Sequence, residues 1–79
     1  MALLVSKMFE YVNKEKNSIH APASAGYTVF TLGNQKIFQI DTYGRSTRQD
    51  PGKLSQSIQI DESMAKILIE KLRKTFDLK

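Results

Sequence analysis

Seventy-nine residues leave room for a single domain, residues 1–79, and twelve Lys and Arg against eight Asp and Glu set a net charge of +4. The absence of cysteine excludes disulfides and thiolate-bound zinc. One core of this size rarely supplies more than ~3–5 kcal/mol, so close packing or self-association has to hold the chain, and a homodimer is expected.

Leu4, Val5, Met8, Phe9 and Val12 recur at spacings of three and four, the pattern of one helix face, which predicts a helix over roughly residues 3–15. Met1-Ala-Leu-Leu-Val5 lacks the basic flank and cleavage site of a targeting segment. No run approaches the length of a membrane span, so the expected setting is cytoplasmic, without a membrane partner. His20 to Gly26 is small, aperiodic and broken by Pro22, a connecting loop.

Tyr27 to Leu32 is dense in β-branched and aromatic residues and reads as a strand. Gly33-Asn34 is a two-residue hairpin signal, and a second strand follows to Tyr43. A strict turn pairs Val29 with Phe38, whereas a one-residue bulge pairs Phe30 with Phe38; both keep the hairpin. Gly44 to Gly52 is a longer connection. From Leu54 to Ile60 the chain alternates, with Leu54, Ile58 and Ile60 expected on one face and Ser55, Ser57 and Gln59 on the other. Asp61 is placed to cap a last helix bearing the apolar stripe Ala65, Leu68, Ile69, Leu72 and Phe76, with Glu62/Lys66 and Glu70/Lys74 paired on its wet side. The predicted fold is α+β, a three-stranded antiparallel meander flanked by an N-terminal and a C-terminal helix.

Catalytic chemistry finds little footing. His20 is the sole imidazole and stands in a loop with no carboxylate within four residues, so it reads as an exposed loop residue, not a metal ligand or a base. The four glycines are scattered turn formers, not a phosphate-cradling loop. Asp41, Asp50 and Lys53 only loosely imitate a metal-dependent nuclease, since Asp50-Pro-Gly is accounted for as a turn. The chain is expected to be no enzyme and to need no cofactor and no metal.

Charge is most one-sided in residues 36–53, where Lys36, Arg45, Arg48 and Lys53 face only Asp41 and Asp50. Arginine forks match phosphate oxygens, and a tyrosine ring can stack on an unpaired base. The expected site therefore joins Tyr43, Arg45, Arg48 and Lys53 to the polar strand residues Ser55, Ser57 and Gln59. Its partner would be nucleic acid. The plain alternative is a protein partner, held by an open sheet edge or by the 45–53 segment.

Phe38-Gln-Ile-Asp-Thr-Tyr43, then Pro51-Gly-Lys53, an alternating strand and an amphipathic helix resemble the single-stranded-DNA-binding transcriptional coactivators of the positive cofactor four family, over residues 37–76. The stretch from Asp41 through Pro51-Gly-Lys53 to Asp61 more closely resembles a group of very short bacterial proteins of unassigned function. The first resemblance implies a sheet that dimerises and grips unpaired DNA, with Tyr43 matching the family's aromatic and Lys53 the basic residue of its PGK turn. Thr42 stands where that family carries a basic residue.

Overall fold

A computed structural model of the chain describes residues 1–44 and 54–79. Four strands form one mixed sheet: β1 (Ala2–Leu4), β2 (Ala25–Leu32), β3 (Gln35–Tyr43) and β4 (Leu54–Ile60), in the order β1-β4-β3-β2. One helix, α1 (Glu62–Phe76), follows β4.

The hairpin is the part that local chemistry dictates most directly. Gly33 takes φ 61°, a conformation that costs glycine little, while Asn34 stays at negative φ, and this turn joins β2 to β3 antiparallel. Val29 lies opposite Phe38, so the strict two-residue register holds and no bulge intervenes. Alternation then sends Tyr27, Val29, Phe38, Ile40, Ile58 and Ile60 to one face, here the aromatic face. Phe30, Ile37, Gln39, Asp41, Ser57 and Gln59 go to the other, the polar face.

Two expectations are corrected. The N-terminal helix does not form: β1 runs parallel to β4, with Leu4 beside Ile60, a single 3-10 turn covers Ser6–Met8, and the chain is irregular from Phe9 to Ser24. The sheet is thus four-stranded and mixed, not a three-stranded antiparallel meander, and only the C-terminal helix flanks it. The physical reason is competition. A helix of about a dozen residues is marginal alone and needs a surface for its stripe, whereas the outer edge of β4 offers backbone partners at once. Met8 and Val12, on the expected stripe, are exposed.

The second correction concerns β4. Tyr43 pairs with Leu54 but Thr42 with Gln56, a bulge that leaves Ser55 without a cross-strand partner. Leu54 consequently lines a hollow of about 420 Å³ with Gln39, Ser57 and Gln59, on the polar face and away from Ile58 and Ile60. A bulge changes parity, and simple alternation cannot anticipate it.

α1 starts as expected. Asp61 accepts a hydrogen bond from the Met64 N–H at 2.9 Å, and Lys66–Glu62 and Lys74–Glu70 approach to 3.7 and 3.5 Å on exposed surface. It ends on Asp77 at φ 54°, with the Leu78 N–H donating to the Arg73 carbonyl at 2.9 Å. The buried apolar side chains are Ile37 of β3 and Ile60 of β4, each 6% exposed, and Met64 in the first turn of α1, 0% exposed. No other apolar side chain among the described residues is buried. Ile69, Leu72 and Phe76, on the expected stripe, are exposed.

Candidate functional site

The expected site divides across the structure. Arg45, Arg48 and Lys53 lie outside the described residues, as does Asp50. Tyr43, Ser57 and Gln59 share the polar face, and Ser55 is set apart from them by the bulge. Tyr43 is half-buried at the end of β3, tied by its N–H to the Ser24 carbonyl at 2.9 Å.

On the polar face the side chains bind one another. Gln59 Nε2 donates to Gln39 Oε1 at 2.8 Å, and Gln39 Nε2 donates to both carboxylate oxygens of Asp41 at 3.0 and 3.2 Å. Gln39 and Gln59 are cross-strand partners, and so are Asp41 and Ser57. Ser57 is buried. The network ends on a carboxylate, whose negative charge opposes a phosphate approaching this face. Gln59 is thus engaged in a polar ladder across β3 and β4, and Ser57 is buried beside it.

The aromatic face has the opposite character. The rings of Tyr27 and Phe38 stack with centroids 5.2 Å apart and planes 14° from parallel. Tyr27 is nevertheless 72% exposed, Val29 51% and Phe38 40%. Val29 and Phe38 also border a largely apolar hollow of about 400 Å³, closed on its far side by Ile60 and by Ala65 of α1. A helix that reaches the sheet only with its first turns leaves this surface open.

Open apolar surface continues elsewhere. Phe9, Tyr11 and Val12 face Lys71, Lys74 and Thr75 across a hollow of about 480 Å³, and Ile19 is fully exposed. The total accessible surface is 7439 Å², against about 4,900 Å² for a folded monomer of 9.0 kDa. The radius of gyration, 14.9 Å, likewise exceeds the roughly 12 Å of a compact chain of this length.

The exposed aromatic face is not evident from the sequence because single exposed apolar residues carry no chemical signature. One signal was there to read: Asn17 to Gln35 contains no charged residue at all. A strand meant to face water at a sheet edge ordinarily carries lysine or glutamate.

Among the described residues no group of three or more His, Asp or Glu side chains is placed to hold a metal ion. No helix described is long and apolar enough to cross a membrane. No protein-family model matches the chain, and neither a curated protein nor a solved structure matches it.

Proposed function

We propose that the chain is a protein-interaction module, without catalysis of its own, whose fold is completed by a protein surface laid against β2 and the aromatic face. The observation that carries this reading is the stacked Tyr27–Phe38 pair left in the open beside Val29. Monomeric proteins rarely expose apolar patches beyond a few hundred Å² unless the patch meets a partner. Burial returns roughly 25 cal/mol per Å², a large sum for a chain with three buried apolar side chains among its described residues.

Purification of the tagged chain tests it. The expected result is a stoichiometric protein complex that survives nuclease and high salt and dissociates when Tyr27 and Phe38 are both changed to Asp. A folded chain running as a lone monomer, with no protein bound, would refute the module.

Nucleic acid is the second reading, favoured by charge. Arg45, Arg48 and Lys53 against Asp50 make residues 45–53 net +2, half the formal charge of the chain, and Tyr43 stands two residues before them. Here the cations would hold phosphates and Tyr43 would stack on an unpaired base, with Ser55, Ser57 and Gln59 supplying hydrogen bonds. Affinity would then fall steeply with salt as counterions are released. Fluorescence anisotropy at low salt showing no binding to single-stranded DNA, duplex DNA or RNA would remove this reading.

A further inference from the structure

The two edges of the sheet are unequal. β1 is three residues long, whereas β2 runs for eight and pairs with β3 without interruption. Proteins blunt exposed edges with short strands, charges, proline or bulges. β2, Ala-Gly-Tyr-Thr-Val-Phe-Thr-Leu, has none of these devices, and seven of its eight residues are exposed.

Its free hydrogen-bonding groups can be assigned. The two-residue turn closes on Leu32 and Gln35, and Ser24 accepts from the Tyr43 N–H at 2.9 Å. Even-numbered residues of β2 therefore bond to β3, and the N–H and C=O groups of Ala25, Tyr27, Val29 and Thr31 point outward.

We infer that β2 pairs antiparallel with β2 of a second copy of this chain, about a two-fold axis at Thr28, joining two sheets into one. This rests on the protein-interaction reading above and names the partner. Charge permits a second copy: β2 carries no charged residue, so the pairing sets no like charges face to face.

The pairing is also self-complementary side chain by side chain. An axis at Thr28 sets Tyr27 against Val29 of the second copy on the aromatic face. On the polar face it sets Thr28 against Thr28 and Phe30 over Gly26. Aromatic with β-branched and Thr with Thr are favoured cross-strand pairs, and an aromatic ring covering a strand glycine restores the contact that glycine lacks.

Because the chain has no cysteine, one engineered thiol reads the register directly. Thr28 is a non-hydrogen-bonded pair across the axis, with Cα atoms about 4.5 Å apart, within disulfide range. Thr31 lies about 20 Å from its own copy, six residues along the strand. The purified chain is expected at twice 9.0 kDa by sedimentation equilibrium. Under glutathione disulfide, Thr28→Cys should form a covalent dimer at least about tenfold faster than Thr31→Cys. Thr28→Lys, which sets like charges face to face, should raise the dimer dissociation constant about tenfold or more while far-ultraviolet circular dichroism stays unchanged. Equal cross-linking of the two cysteine variants would overturn the β2 pairing. So would a chain that is monomeric alone yet binds a different protein stoichiometrically, in which case the interaction module stands. A folded monomer without any protein partner would overturn both.

Discussion

The corner where α1 meets the sheet and the free edge at β2 are built from similar residues and end up in opposite states. At the corner, Ile37, Ile60 and Met64 are removed from water; at the edge, Tyr27, Val29 and Leu32 stay in it. Composition does not separate the two. Topology does: the Asp61 cap starts α1 directly after β4, an inner strand, whereas β2 is the sheet's outer edge and nothing described covers it. Folding of one chain therefore draws on the corner, and the proposed association would draw on the edge.

Truncating the corner should have the largest effect on the single chain. Met64→Ala empties the one fully buried side chain, and urea denaturation should show a loss of about 2–5 kcal/mol. That is comparable with the whole stability expected of so small a core, so the variant should be largely unfolded when dilute. An unchanged midpoint would mean the corner is not the core.

Edge changes should be weaker on the single chain and depend on concentration. Tyr27→Ser removes the more exposed ring of the stacked pair, at a cost of about 0.5–1.5 kcal/mol from the aromatic contact alone. Its thermal midpoint should separate from that of the parent as protein concentration rises, because binding of a second copy adds stability by mass action. A constant gap would place Tyr27 outside any interface.

Smaller effects sharpen the corner. Asp61→Ala deletes the cap to the Met64 N–H and should cost about 1 kcal/mol in the same denaturation experiment. Glu70→Ala removes an exposed pair with Lys74 and should shift stability by no more than about 0.5 kcal/mol. A larger loss there would point to a role for that helix face beyond solvation.

The elements with local causes were legible in the sequence. Gly33-Asn34 specifies its hairpin and Asp61 its cap because one residue's backbone preference or one side-chain oxygen decides each. Residues 3–15 misled because their period suits a helix, yet β1 gains the open edge of β4, a partner that exists only once the sheet has formed. Leu54 misled because the bulge at Ser55 leaves no mark in an alternating pattern. Of the expected site, Ser57 and Gln59 share the polar face as expected, but the engagement of Gln59 with Gln39, and through it with Asp41, depends on cross-strand neighbours distant in sequence. The aromatic surface was hidden for a related reason: whether Tyr27 and Val29 are buried or exposed is decided by where the helix ends up.

Amide hydrogen exchange along β2 tests the division between corner and edge most directly. Gly26, Thr28 and Phe30 donate within the hairpin, and Tyr27, Val29 and Thr31 donate outward. At concentrations where the chain is associated, both sets should be slow to exchange, and dilution should release only the second. If Tyr27, Val29 and Thr31 exchange at the open-chain rate at every concentration, β2 has no partner and the account of its edge fails.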